Sequence, residues 1–462
     1  MARTAKILAW LVAAVLISAV SIAVALLVTP TQEVSAVGQT VRVGASAPSL
    51  SASGPGELDL FGQHLPTTIQ FVGPIRPRLV LAHISVNSQV AALFTPSGAA
   101  ESKAEVGRAL EAGWTRYFVW ETVIAGAVGL LLAGTVAGWR RLSWRRTVTL
   151  LAAGLLVVEA ANLGGVMVTA YSAGSRLRSI GSLNAVVGSA PLPAVPPATA
   201  AVPSGTNAVV LGDSTAAGDG NPLVPDPTAE DRACHRSAES YANVLAATNG
   251  WQVLNLACSG ATIPAGILGP QAVGSVTAPP QLSAAETATN LSAVFVSVGA
   301  DDLQWSALLV LCASTPECRN DAAVTFFQQQ LATFAQQYYR LLQQLAALPG
   351  SPRVIVNLYY SPFDTDKTCL NATGLTATKQ KAMLGLLDAL NTVLAKGAAA
   401  ASMTAVEPRF TGHALCDPQP YVQGLKDPAP FHPTQAGELA IALADERQLQ
   451  QPLATPSPSR SG

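Results

Sequence analysis

The chain has 462 residues, too many for one ordinary domain, and it is 49% hydrophobic with only 12% charged residues, about half the charge of a typical soluble domain. A formal net charge of −1 and the absence of a basic stripe exclude a surface built for nucleic acid. Its histidines are scattered and no cysteine pair has CxxC spacing, so the sequence offers no metal constellation and no nucleotide loop and implies no cofactor.

Three apolar runs occupy the first part of the chain. Residues 7–28 follow the start Met-Ala-Arg-Thr-Ala-Lys, and residues 118–139 and 148–170 flank the basic stretch 140–146. Each approaches the ~20 residues that carry a helix across a bilayer. The first run exceeds the roughly 7–15 residues of a signal-peptide core, so residues 1–28 are expected to stay as an anchor instead of being cleaved near Ala36. Arg3 and Lys6 precede the first run, and Arg140, Arg141, Arg145 and Arg146 fill the loop between the other two. Basic residues stay on the cytoplasmic side. Residues 29–117 and everything beyond about 171 are then expected to face outward, in a multi-pass protein of the cell membrane.

Residues 29–117 carry strand-like stretches at 67–72 and 78–84 and a helical stretch at 104–115 leading into the second span. They are predicted to form a small β-rich extracytoplasmic domain without legible chemistry. His64 and His83 stand alone there and read as ordinary surface or core residues. In the spans, 118–171, Glu121 and Glu159 are costly in lipid and mark either hydrogen-bonded carboxyls at a helix contact or a functional site. Gly134 and Gly138 favour close helix packing.

Residues 172–206 are Pro- and Ala-rich and read as an extended linker, and residues 451–462 read as a disordered tail. Between them, over 207–450, strands at 208–211, 251–257, 291–298 and 353–359 alternate with helices at 241–248, 322–347, 376–399 and 433–445. Such alternation gives a parallel sheet with helices on both faces and an active site beyond the carboxyl ends of its strands. The six cysteines (Cys234, Cys258, Cys312, Cys318, Cys369, Cys416) all lie in this region. An even number on the outward side reads as three disulfides, with fifteen possible pairings.

Four short islands end or follow the strand-like runs: VVLGDSTAAG at 209–218, LACSGAT at 256–262, VSVGADDL at 296–303 and FHPTQAG at 431–437. Ser214, after a Gly-Asp turn, has the setting of an exposed nucleophile. Gly260 allows close backbone approach and offers an N–H to an oxyanion. His432 precedes a helix start near the chain end and can take the proton of Ser214 and return it to the leaving group. His413 and His235 compete for that role, but each lies near a cysteine in a disulfide-tied loop. The set is the equipment for acyl transfer through a serine.

The order Gly-Asp-Ser, Gly, Gly-x-Asn-Asp-like, His-Pro resembles the SGNH (GDSL) hydrolase family over residues 205–447, and the six-cysteine pattern is similar to its secreted actinobacterial lipases and esterases. The resemblance implies a three-layer α/β/α flavodoxin-like domain, here preceded by three transmembrane helices, and metal-free hydrolysis of acyl esters. It also implies pairing of neighbouring cysteines, Cys234–Cys258, Cys312–Cys318 and Cys369–Cys416. Ser214 would be the nucleophile, His432 the base, and Ser214 and Gly260 oxyanion donors.

Two positions depart from the family pattern. The oxyanion asparagine falls at Asp301, which must be protonated to donate, or else the amides carry the hole alone. The acid three residues before the histidine is replaced by Ala429; Asp427, five before, is the nearest carboxylate, with a backbone carbonyl near Ala429 as the other candidate to orient His432. The expected activity is that of an outward-facing esterase or lipase acting on a lipid or an acylated envelope glycan. An O-acyltransferase with a non-water acceptor, or a binding module that has lost its oxyanion hole through Asp301, are the alternatives.

Overall fold

The structure, a computed structural model, describes residues 2–36, 39–48, 51, 53–73, 75–84, 96–177, 205–288, 290–316, 318, 321–364 and 369–451. The chain divides into two units, residues 1–60 with 64–189, and residues 61–63 with 190–462.

The first unit carries helices α1 (Ala2–Val28), α2 (Pro96–Trp139) and α3 (Trp144–Leu177), packed on one another. Strands β1 (Gln32–Ala36), β2 (Gln39–Ala45), β3 (Ser53–Leu60), β4 (Gln63–Val72) and β5 (Pro77–Ile84) form a sheet in the order β1-β2-β5-β3-β4. In β5 the buried Leu79 and Leu81 alternate with part-exposed neighbours, the pattern of a strand with one face in a core. Helix α2 starts well before the apolar run. Further along, it packs on the sheet, where Trp114 Nε1 donates to the Gly44 carbonyl at 3.0 Å and Gly113 leaves no room for a Cβ between Val34 and Val43.

Inside this helix group Asn162 Nδ2 donates to Glu121 Oε2 at 2.8 Å and to Thr122 Oγ1 at 3.1 Å, which puts Glu121 at a hydrogen-bonded helix contact. Among the glycines of α2, Gly126 and Gly129 pack tightly against α3: an added Cβ at Gly126 would collide with the Glu159 carboxyl, and one at Gly129 would lie 3.0 Å from Val158. Gly134 and Gly138, expected to favour close packing, instead have room for a side chain, facing Leu151 at 4.0 Å and open space. Helix α3 continues to Leu177, into the stretch expected as linker; the rest of that linker, 178–204, and the tail from 452 lie outside the described residues.

The second unit follows the chain as β6 (Ala208–Gly212), α4 (Ser214–Ala217), α5 (Ala229–Cys234), α6 (Tyr241–Asn249), β7 (Val253–Asn255), a ribbon of β8 (Gln271–Val273) and β9 (Val276–Ala278), α7 (Gln281–Thr287), β10 (Ala293–Ser297), α8 (Trp305–Ser314), α9 (Asp321–Ala346), β11 (Arg353–Asn357), α10 (Ala377–Ala400), β12 (Thr404–Val406) and α11 (Gln435–Leu449). Five strands, all parallel, stand in the order β12-β11-β10-β6-β7. Counted within the unit this is the 2-1-3-4-5 order of the flavodoxin-like fold. Every residue of β6 and β10 is buried, so both sheet faces are covered. Val210, Phe295 and Ile355 face Tyr241, Leu245 and Ala442 of α6 and α11 in one core. The alternate residues, such as Val209 and Val294, are just as buried, which makes the unit a three-layer α/β/α domain.

Four described helices are long and apolar enough to cross a membrane: Trp10–Val28, Glu105–Trp139, Trp144–Thr169 and Ala377–Ala400. The last is α10, whose Leu387, Leu390, Val393 and Leu394 are buried and which packs on β11 and β12; its apolar length serves a sheet layer. The cysteines pair as Cys234–Cys258, Cys312–Cys318 and Cys369–Cys416.

Candidate active site

The switch point of the sheet lies between β6 and β10, where successive connections leave in opposite directions, and that crevice is where such sheets bind ligands. Ser214 follows β6 and Asp301 follows β10. At the end of β6, Gly212 is gripped by the buried Gln281, whose Oε1 accepts its N–H at 2.7 Å and whose Nε2 donates to its carbonyl at 3.0 Å. A Cβ at Gly212 would lie 2.7 Å from that of Ala216 and against the Ser297 carbonyl, so only glycine permits the sharp turn into α4. Asp213 caps α4 by accepting the Thr215 N–H at 3.0 Å and takes the Tyr359 hydroxyl on its other oxygen. Burial pushes the Asp213 carboxyl up, and the Asp301 charge adds to this. Ser214 opens the helix with its side chain toward a cavity.

His432 reaches it. Its Nε2 lies 2.7 Å from Ser214 Oγ, and its Nδ1 lies 3.2 Å from the Pro430 carbonyl. A carbonyl only accepts, so Nδ1 carries the proton and Nε2 is left to accept from the serine. The segment is held by Gln423, whose N–H donates to the His432 carbonyl at 2.7 Å and whose Nε2 donates to the Pro433 carbonyl at 3.0 Å. Asp427 does not approach the imidazole. Its carboxylate accepts the Gly424 N–H at 2.6 Å and closes its own exposed turn, so the Pro430 carbonyl takes the orienting position considered for Asp427. The competing histidines are engaged elsewhere, His413 stacked on Tyr421 at 3.8 Å and His235 on Asp219 at 2.9 Å.

Gly260 adopts φ +79°, in the left-handed region that favours glycine. Its loop is tied to β6 by the bond from Cys258 N–H to the Gly212 carbonyl at 3.0 Å and to the end of α5 by the Cys234–Cys258 disulfide. Asp301 follows Gly299 and Ala300, and the Ala300 N–H donates to Tyr359 Oη at 2.9 Å. Among the described residues Asp301 Oδ2 is buried without a hydrogen-bond partner. Burial pushes the Asp301 carboxyl up to about 6, with His432 opposing and the Asp219 charge assisting. Burial also pushes Asp302 up to about 7, against the Ile263 N–H that donates to its Oδ1 at 2.9 Å.

Ser214, Gly260, Asp301 and His432 line one cavity of about 440 Å³, continued by Trp305, Leu309, Val310, Leu387 and Leu390. Tyr359 is the residue sequence reading missed: one hydroxyl joins Asp213 to Ala300 and so fixes the two switch-point loops together. Its only sequence signal is its place at the end of a strand-like run.

Known proteins match this half of the chain. Lipase 1 of Streptomyces coelicolor is 29% identical over 279 residues, which are 57% of this chain and 95% of that protein. The extracellular lipase of Streptomyces rimosus is 24% identical, with a TM-score of 0.44 over 53% of this chain and 99% of its own. Phospholipase A1 of Streptomyces albidoflavus is 22% identical, with a TM-score of 0.42 over 53% of this chain and 99% of its own. Residues 210–440 match the GDSL-like Lipase/Acylhydrolase family, half of the chain and all four islands. The chain belongs to that family and is a carboxylic ester hydrolase.

Proposed function

We propose that the chain is a membrane-anchored, outward-facing serine hydrolase in which Ser214 is the nucleophile and His432 the general base and acid. The contact of 2.7 Å from His432 Nε2 to Ser214 Oγ carries this reading. Ser214 Oγ attacks the ester carbonyl as its proton passes to Nε2; the imidazolium returns that proton to the departing alkoxide, and water repeats the sequence on the acyl-enzyme. The Pro430 carbonyl keeps the proton on Nδ1, doing the orienting part of an acid without its charge. The Ser214 and Gly260 amides and a protonated Asp301 receive the oxyanion. The apolar cavity wall of Trp305, Leu309, Val310, Leu387 and Leu390 favours a hydrophobic acyl group, in a lipid or on an acylated envelope glycan.

The test is hydrolysis of a chromogenic ester series, acetyl to long acyl, by the full-length protein in detergent. Ser214→Ala and His432→Ala should each lower kcat by at least about 10⁴-fold with an unchanged melting temperature. Undiminished turnover in either variant removes the assignment.

A further inference from the structure

Asp219 lies five residues after the nucleophile, beyond the turn that ends α4, and plays no part in the proton transfers. Yet it bonds to all three catalytic segments. Its backbone N–H donates to the Ser214 carbonyl at 3.1 Å. Its own carbonyl accepts Gln423 Nε2 at 2.7 Å, and that same amide nitrogen donates to Pro433, next to His432. Its carboxylate accepts the Ser259 hydroxyl at 2.7 Å on Oδ2 and meets His235 Nδ1 at 2.9 Å on Oδ1.

The Ser259–Asp219–His235 group has the residue types of a second nucleophilic triad but not its order. The hydroxyl of Ser259 donates straight to the carboxylate and His235 sits on the far oxygen, so no imidazole stands ready to take the serine proton. What the arrangement does is hold Ser259. The residue is fixed on every side: its N–H donates to the Cys234 carbonyl at 3.1 Å, its carbonyl accepts Gln271 Nε2 at 2.9 Å, and its hydroxyl is on Asp219. The next residue is Gly260. A glycine at positive φ has no side chain to anchor it, so the direction of its N–H is set by the peptide before it.

We infer that Asp219 is a positioning residue, which through the Ser259 hydroxyl aims the Gly260 N–H at the oxyanion while its backbone fixes the nucleophile turn and the histidine loop. The inference rests on the reading of Ser214 as nucleophile and Gly260 as oxyanion donor. The carboxylate is 16% exposed and its His235 partner 55% exposed; an ion pair that open contributes little, which leaves the Ser259 bond as the working contact.

The experiment measures kcat and KM for a short-chain ester with the full-length protein in detergent. An oxyanion donor acts in the transition state and not in the ground state. Ser259→Ala and Asp219→Ala should therefore lower kcat by about tenfold to a hundredfold, with KM within about twofold of wild type. Asp219→Asn keeps an oxygen that accepts the Ser259 hydroxyl and should stay within about threefold of wild-type kcat. Ser259→Ala leaves Asp219 in place, so it carries the test if Asp219→Ala loses the fold. Wild-type kcat in Ser259→Ala overturns the inference, and so does an Asp219→Asn variant as impaired as Asp219→Ala. A wild-type protein without Ser214-dependent turnover would instead overturn the underlying reading.

Discussion

Asp301 decides how this site differs from one with an amide at the same place. His432, Asp219, Asp213, Asp302 and Tyr359 are titratable groups that act on it or on its immediate neighbours. Burial, the leading cause, raises its carboxyl to about 6. Below that pH the group is protonated and can donate to an oxyanion; above it, the ionised carboxylate repels one. Esterase activity carried by this donor should therefore decline as pH rises through about 6. Asp301→Asn, whose amide donates at every pH, should hold its rate into the alkaline range and exceed wild type by about tenfold or more at pH 8. A decline of the same shape in the variant would show that Asp301 does not set it. Ser214 and Gly260 could be singled out in the sequence because each sits in a short motif after a strand, and His432 because it stands just before a helix start; their roles are those proposed above. The orienting group of His432 could not be, since whether Asp427 or a carbonyl meets Nδ1 depends on the path of the loop after Val422. Tyr359 could not be either, because its partner Asp213 is 146 residues away and only the strand order brings them together.

At the scale of elements, the site is assembled from loops that the disulfides reinforce unequally. Cys234–Cys258 spans 24 residues and fastens the loop carrying Gly260 to α5; Cys312–Cys318 spans 6 and closes the end of α8. Chain-entropy reasoning gives about 3.5 kcal/mol for the first and about 2.3 kcal/mol for the second. Replacing Cys234 and Cys258 by serine should lower both the melting temperature and kcat, whereas replacing Cys312 and Cys318 should lower the melting temperature by less. Thermal melts and ester kinetics on the two double variants check this, and equal kcat in both would detach the first disulfide from the oxyanion loop. The long elements of this unit could be read from the chain because β6, β10 and β11 are uninterrupted apolar runs and α9 and α10 are long. The edges were harder to read: β12, with three residues, was not expected, and β7 shrinks to Val253–Asn255 within the expected 251–257. Edge strands carry too few residues to show a pattern, and their pairing is imposed by the neighbour. Helix α10 shows the opposite hazard, a sheet-covering helix apolar enough to match a membrane span by composition.

For the whole molecule, the proposed membrane anchoring turns on which side carries the ester chemistry. Within the first unit, the Arg140 guanidinium lies 5.1 Å over the ring of Trp10, so the turn between α2 and α3 sits at the same end of the helices as the start of α1. The start of α1, with Arg3 and Lys6 in its sequence, and the turn of Arg140, Arg141, Arg145 and Arg146 thus fall at one end of the helix group, the end that the proposed topology keeps in the cytoplasm. The opposite end of α1 leads into the sheet of the same unit through residues 29–31. Large apolar side chains lie exposed along all three helices, Val15 at 66%, Leu131 at 67% and Leu156 at 71%, which supports the proposed spans. External protease added to sealed spheroplasts should therefore abolish ester hydrolysis, while an epitope inserted between Arg141 and Arg145 stays protected until the membrane is opened. Substituting the four loop arginines with glutamine should reduce the fraction of molecules in that orientation. Activity that survives protease on intact spheroplasts, and is lost only on permeabilisation, would place the catalytic unit inside the cell and reverse the topology.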